Sequence, residues 1–295
     1  MQATPVDTFQ EYRPLLFSIA YRMLGSVMDA EDAVQETYLR WQRAAGDATA
    51  VASPKSYLTT VVTRLCIDQA RSAEARHTAY VGPDLPEPLS TEPAPDAAGE
   101  AELADTLSTA FLIVLETLSP VERAAFLLRD VFAYDYPEIA RVTGKGEANC
   151  RQLVRRARQR VAERRPRFPA APEQRRRLTD QFMQTCQDGD LDGLVALLAD
   201  DITLWSDGGG KVAAARFPIH GAPRVARALL GIFRKAPAGA FARPADLNGT
   251  PGLVAYQDDG TPLGTLTLDI ADGRISGVYL VVNPDKLRAL PPAAS

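Results

Sequence analysis

The chain has 295 residues, 46% hydrophobic and 24% charged, enough apolar material for two or three domains with packed cores, and this excludes a disordered chain. Its net charge of −4 excludes a chain that is basic throughout, so any contact with nucleic acid must be confined to a basic segment. No apolar run approaches the roughly 18 residues that span a membrane. The N-terminal MQATPVDTFQEYRP lacks a signal-peptide pattern, so a cytoplasmic protein is expected. Cys66, Cys150 and Cys186 are scattered and odd in number, and the two histidines, His77 and His220, are far apart. The cysteines read as small core residues in a reducing compartment, and neither a disulfide, a metal site nor a cofactor is expected.

The first predicted helix covers Phe9 to Arg22, with Phe9, Tyr12, Leu15, Leu16, Ile19 and Ala20 at helical spacing and Gly25 beyond its end. Asp29 is the expected cap of the second, DAEDAVQETYLRWQRA. There Ala30, Val34, Tyr38 and Trp41 line one face, and Glu31, Asp32, Gln35 and Glu36 lie away from it. A third helix runs from about Pro54 to Arg76, with Tyr57, Leu58, Val61, Val62, Leu65 and Cys66 on its apolar side. Core packing is the first reading of Trp41 and Tyr57. Val81 to Asp105 is acidic and Pro-rich and is expected to be extended or disordered.

Leu103 to Leu118 is amphipathic, and Ser119-Pro120-Val121-Glu122 opens the next helix with a cap and a proline at its first position. Next comes YDYPEIARVTGKGEANCRQLVRRARQRV, Tyr136 to Val161. Ile139, Ala140 and Val142 give a short helix an apolar side, and Gly144 and Gly146 break it. The second helix carries Cys150, Leu153, Val154, Ala157 and Val161 on one face, with Gln152, Arg155, Arg156 and Gln159 opposite and Asn149, Arg151 and Arg158 on the flanks. This is a helix-turn-helix pattern. Arg matches guanine and Asn or Gln matches adenine bidentately, so such a face can read a major groove. From Arg141 to Arg177 there are thirteen basic residues, Lys145 among them, against three acidic ones, the footprint of a phosphate backbone. Arg164 to Arg177 reads as a basic, Pro-broken hinge.

From Leu178 the character changes. A helical half precedes a strand at Ile202 to Ser206, the turn Asp207-Gly208-Gly209-Gly210-Lys211, a helix at Gly221 to Lys235, and strands at 239–247, 252–257, 263–270 and 274–282. That order makes an α+β domain. A catalytic set here would take Asp207 as a base with Tyr256 or Tyr279 as donor. No paired arrangement is visible, and an Asp beside three glycines is more simply a turn. GGGK lacks the GxxxxGK[ST] pattern of a phosphate loop. The chain is therefore not expected to be an enzyme.

An acidic helix of the DAEDAVQETYLRW type, a helix of the SYLTTVVTRLCIDQAR type and a distal helix-turn-helix resemble, in that order, the bacterial extracytoplasmic-function sigma factors. GPDLPEP, DGGGK and NPDKL (Asn283 to Leu287) resemble motifs of a subgroup with a fused C-terminal SnoaL-like domain. The implied fold is multidomain: two all-α sigma domains and an α+β cone of the SnoaL and nuclear-transport-factor-2 type. The implied boundaries are region 2 at 6–76, an acidic linker at 77–105, region 4 at 106–165, a basic linker at 166–176 and the SnoaL-like domain at 177–290.

The resemblance implies that Asp29, Glu31, Asp32, Gln35 and Glu36 dock on the β′ clamp helices of the RNA polymerase core. It places −10 promoter reading on Lys55, Tyr57, Thr60, Arg64, Asp68 and Arg71, with a base pocket in the Ala44 to Ser56 segment. It places −35 reading on Lys145, Asn149, Arg151, Gln152, Arg155, Arg156 and Arg158. Regulation in cis would join the linker residues Leu85, Pro86, Glu87 and Pro88 to Asp207, Gly208, Gly209, Gly210 and Lys211 and to Asn283, Pro284, Asp285 and Lys286. The family form has Trp where this chain has Asp84, which leaves Leu85 as the apolar contact. The expected partners are polymerase core and promoter DNA, with no membrane, a monomer off polymerase, and room for an unidentified small ligand in the cone. A ligand-sensing helix-turn-helix regulator is the alternative, and an enzyme acting through the cone is a third.

Overall fold

The computed structural model describes residues 4–46, 53–74, 80–91, 106–164 and 170–293. The chain divides into two compact units, residues 1–78 with 112–165 and residues 79–111 with 166–295. The described part of the segment read as a linker, residues 80–91, therefore belongs with the C-terminal domain.

The first unit holds α1 (Pro5–Leu24), α2 (Val27–Gly46) and α3 (Pro54–Glu74), packed through Phe9, Leu16, Ile19, Ala30, Val34, Trp41, Leu58, Val62 and Cys66. Thr4 and Asp7 form a capping box on α1, and Gly25 ends it in the left-handed conformation. Ser26, not Asp29, caps α2: the Asp29 N–H donates to Ser26 Oγ at 3.1 Å, and Asp29 lies inside the first turn. The Trp41 indole is buried, donates to the Pro5 carbonyl at 2.7 Å and tilts against Tyr57 at 5.9 Å, the packing role expected of both rings.

The same unit resumes at Leu112, within α4 (Thr109–Glu116), and continues through α5 (Pro120–Phe126), α6 (Tyr136–Thr143) and α7 (Glu147–Arg164). Ser119 and Glu122 box the start of α5, Asp135 and Glu138 that of α6, and Gly144 ends α6 at φ +66°. The stripe Cys150, Leu153, Val154, Ala157 and Val161 is buried throughout, at roughly 1.5–3 kcal/mol for each large apolar side chain.

The C-terminal domain comprises α8 (Pro172–Asp188), α9 (Leu191–Leu197), β1 (Leu198–Asp207), β2 (Ile219–His220), α10 (Ala222–Arg234), β3 (Phe241–Leu247), β4 (Thr250–Tyr256), β5 (Pro262–Ala271) and β6 (Arg274–Val281). The basic stretch read as a hinge is thus already helical from Pro172. The sheet order is β2-β1-β6-β5-β4-β3, with β1 and β6 parallel and the other pairs antiparallel. Leu204, Leu266, Leu268 and Val278 point from one face onto Phe182, Val225 and Leu229. The alternate residues Trp205 and Tyr279, paired in register, stack at 4.9 Å on the other face. Among the described residues no helix is long and apolar enough to cross a membrane.

Candidate functional site

On α7 the polar side chains fall into two sets. Arg158 makes two hydrogen bonds to Asp130, at 2.8 and 2.6 Å. Arg156 and Arg160 reach the two carboxylate oxygens of the nearly buried Glu122 at 3.1 and 3.0 Å. Arg151 pairs with Glu147 at 2.9 Å and lies over the Tyr136 ring. These four hold the helix against its own module. Lys145, Asn149, Gln152 and Arg155 are exposed and make no hydrogen bond or ion pair with any described residue. Asn149, Gln152 and Arg155 recur every three residues, so they share one side of the helix. Sequence spacing could not separate the sets, because the partners Glu122 and Asp130 lie on another element.

Burial alone would raise the Glu122 pKa. The Ser119 cap and then Arg160 and Arg156 outweigh burial and hold it below the usual carboxylate range. A depressed folded value means that this stability is present above about pH 4.5, the unfolded value, and is lost as pH falls through the folded one. Glu122→Gln should therefore lose less helix by circular dichroism than the wild type between about pH 5 and 3. Superimposable acid profiles would assign the titration elsewhere.

The second helix offers an exposed stripe. Met28, Asp32, Gln35 and Leu39 recur at helical spacing, with Met28 and Leu39 51% and 39% exposed. Of the other candidates on this helix, Glu31 pairs with Arg13 at 2.6 Å, Glu36 with Arg40 at 2.8 Å, and Asp29 accepts from Gln69 at 2.7 Å. The set expected from the resemblance, Asp29, Glu31, Asp32, Gln35 and Glu36, does not include the exposed Met28 and Leu39. Their signal was two large apolar residues off the buried face.

On α3, Asp68 and Arg71 face solvent, and Thr60 donates to the Ser56 carbonyl of its own helix. Lys55 stands over the Tyr134 ring, and Arg64 donates to the carbonyls of Val142 and Arg141 at 3.0 and 2.7 Å. The Ala44 to Ser56 base pocket falls largely on residues 47–52, outside the described residues.

In the C-terminal domain the linker, the DGGGK turn and the NPDKL segment meet at Asp207. Its buried carboxylate accepts from the Tyr80 hydroxyl at 2.6 Å, the Leu85 N–H at 3.0 Å, the Gly209 N–H at 2.9 Å and Lys286 Nζ at 2.7 Å. Lys286 also binds the Asp84 carboxylate and the Leu85 carbonyl, and it lies over the Tyr80 ring at 5.1 Å. Asn283 donates to the Tyr80 hydroxyl at 2.9 Å, and Lys211 pairs with Asp285. Leu85, Pro86, Glu87 and Pro88 are buried, whereas Pro284 is exposed. Gly208 and Gly209 have a steric reason: an added Cβ at the first would strike the Val212 carbonyl, and at the second, where φ is +58°, the Asn283 amide. The position where the family form has Trp thus supplies a counter-charge, Asp84, and the ring comes from Tyr80.

A second contact went unread in the sequence. The Asn248 N–H donates to the Leu89 carbonyl at 2.8 Å, and its side chain accepts from the Leu89 N–H at 3.1 Å. The Thr91 N–H donates to the Asp246 carbonyl at 2.9 Å, and Ser90 pairs antiparallel with Leu247. The linker so adds a short rung to the edge strand β3.

The catalytic candidates do not converge. Asp207 is fully engaged, Tyr279 stacks on Trp205 and Tyr256 on Phe241. A groove of about 940 Å³ is lined by Met183, Cys186, Leu230, Phe233, Phe241 and Leu263 together with Arg227 and Arg234, and none of the three candidates lines it.

Residues 8–76 match the family model for Sigma-70 region 2, and residues 110–161 match Sigma-70 region 4. The ECF RNA polymerase sigma factor SigJ of Mycobacterium tuberculosis is 36% identical, over 97% of this chain and 94% of its own. The chain belongs to the extracytoplasmic-function sigma factors. A probable sigma factor of the same organism, SigI, is 31% identical over 98% of this chain and 97% of its own. The crystal structure of SigJ superimposes with a TM-score of 0.77, 34% identity and coverage of 98% and 100%. This sigma factor therefore serves transcription initiation by RNA polymerase, and its fold is two helical sigma domains followed by an α+β domain.

Proposed function

We propose that the sigma factor docks on the polymerase core through the Met28, Asp32, Gln35 and Leu39 stripe, reads the −10 element with α3 and the −35 element with α7, and is regulated in cis by its C-terminal domain. The observation that carries the DNA assignment is the unengaged set Lys145, Asn149, Gln152 and Arg155 beside Arg151, Arg156, Arg158 and Arg160, which are paired within the chain. An apolar pair framing an acidic and an amide side chain suits a partner helix that is both basic and apolar, with the charge contributing to encounter rate and specificity. A ligand-sensing repressor has no use for such a stripe.

The C-terminal domain acts as a clasp on the linker, not as a catalyst, because Asp207, the carboxylate of the candidate catalytic set, is spent on Tyr80, Leu85, Gly209 and Lys286. The protein works in the cytoplasm, off the membrane, and is a monomer until it meets polymerase. The test is co-purification with core polymerase and run-off transcription from a template that the holoenzyme selects out of a randomised promoter library. Leu39→Asp should weaken core binding by at least about ten-fold, the scale of an interface anchor, with an unchanged circular dichroism spectrum. Undiminished binding would remove the stripe from the docking surface.

A further inference from the structure

One concavity of the C-terminal domain takes no part in the clasp. The groove of about 940 Å³ is lined by the last turns of α8 and α10 and by β3, β4 and β5. Its floor is apolar. Met183, Phe233, Phe241 and Leu263 are only half-buried there, so apolar surface still faces water, and covering it is favourable. The size falls at the upper end of sites for small organic molecules, roughly 300–1,000 Å³, whose walls are mostly apolar with a few placed polar groups.

The charges around the groove are one-sided. Arg227 and Arg234 both line it from α10, and seven residues at about 1.5 Å each set them about 10 Å apart on one side of the helix. Arg227 makes no hydrogen bond or ion pair with any described residue. Arg234 donates its Nε to the Leu230 carbonyl at 3.3 Å, and its two terminal nitrogens have no partner among the described residues. Asp188 is the one acidic residue among those lining the groove, and both its oxygens already accept from Gln184, at 3.0 Å. Burial pushes the Cys186 thiol up to about 12, so the floor carries no negative charge at neutral pH.

We propose that this groove binds an amphipathic organic anion, with its apolar body on Phe233, Phe241 and Leu263 and a carboxylate or phosphate head held by Arg227 and Arg234. The guanidinium fork matches either head bidentately. The linker rung sits at the other end of β3, at Leu247 and Asn248, about 20 Å from Phe241 at 3.3 Å per residue. An occupied groove and a closed clasp are therefore compatible. The proposal goes beyond regulation in cis and stands apart from it, because binding is read on the polymerase-free chain.

The experiment is isothermal titration calorimetry of the full chain with ten-carbon probes below their micellar concentrations: decanoate, decyl phosphate, decanol and decyltrimethylammonium. At least one of the two acids should bind at least about ten-fold more tightly than decanol, the scale of hydrogen bonds to a charged group. The tighter acid identifies the head. The cation should bind more weakly than decanol. Shortening the tighter acid to six carbons should weaken it at least about thirty-fold, since each buried methylene contributes about three- to four-fold. Arg227→Gln and Arg234→Gln, both at exposed positions, should each weaken the acid at least about five-fold and leave decanol unchanged. Phe233→Ala should weaken acid and alcohol alike. No binding of either acid overturns the proposal, as does an acid that binds no more tightly than decanol. Equal acid affinity in the wild type and both arginine variants, with unchanged circular dichroism spectra, also overturns it. Sedimentation at the same concentration should show a monomer. A dimer that Phe233→Ala disperses would give the groove to a second copy of the chain and overturn the proposal in that way.

Discussion

Asp207→Asn should free the 80–91 segment from the C-terminal domain. The substitution leaves Lys286 nearly buried with only Asp84 as counter-charge, and puts an amide N–H where the carboxylate accepted from Tyr80, Leu85, Gly209 or Lys286. Breaking a buried ion pair by removing one partner costs about 3–5 kcal/mol. Asp84 retains part of the attraction, so about 3 kcal/mol is expected here. At 1.4 kcal/mol per decade that is about a hundred-fold rise in local opening, read by limited proteolysis or amide exchange within 80–91. Promoter-dependent transcription should change in the same variant. Wild-type proteolysis would show that the Asp207 carboxylate does not hold the linker, and normal proteolysis kinetics with altered transcription would place regulation elsewhere.

The clasp is not a sensor of neutral pH. Burial first, then the hydrogen bond to Asp207, pushes the Tyr80 phenol up to about 12. For Lys286 burial alone would lower the pKa, but Asp84 and Asp207 outweigh it and hold the value above that of an ordinary lysine. A raised folded pKa gives stability that is complete below the unfolded value and is lost as pH climbs through the folded one. Both groups keep their protons below about pH 10, so what they contribute is constant at neutral pH.

Local pattern was enough for the helices and most of the sheet. The buried stripe of α7 follows from 3.6-residue spacing, and β3 to β6 from alternation and turn residues. The two-residue β2 was too short for any pattern. The meeting of DGGGK and NPDKL with the linker was legible only through the resemblance, since Asp207 and Lys286 are 79 residues apart. Tyr80 and Asn248 were missed because neither belongs to a motif. Tyr80 stands outside GPDLPEP, and Asn248 looks like an ordinary hairpin residue until Leu89 lies beside it. The α3–α6 contact was invisible for a different reason. Polar residues such as Thr59 and Arg64 read equally well as a DNA-facing surface, and only the fold reveals that Thr59 meets the Tyr134 hydroxyl and that Arg64 satisfies the end of another helix.

The sharpest division within α7 is between Arg155 and Arg158, three residues apart and alike in sequence. Arg155 has no partner among the described residues, whereas both forks of Arg158 are closed on Asp130. A bidentate pair with a base is worth about 1–3 kcal/mol of discrimination, so Arg155→Ala, and likewise Gln152→Ala, should cut transcription from the selected template about 5- to 150-fold and relax preference at one or two positions of the −35 element. If Arg155 holds a phosphate instead, binding should weaken evenly across sequences and the salt slope should fall by about one. Arg158→Ala should leave base preference intact. With Arg158 half exposed, its pair with Asp130 contributes about 1 kcal/mol to folding and none to reading. Selection from the randomised library with each variant separates the cases. A shifted consensus for Arg158→Ala together with an unshifted one for Arg155→Ala would reverse the assignment, and would mean that Asp130 gives up its arginine when DNA arrives.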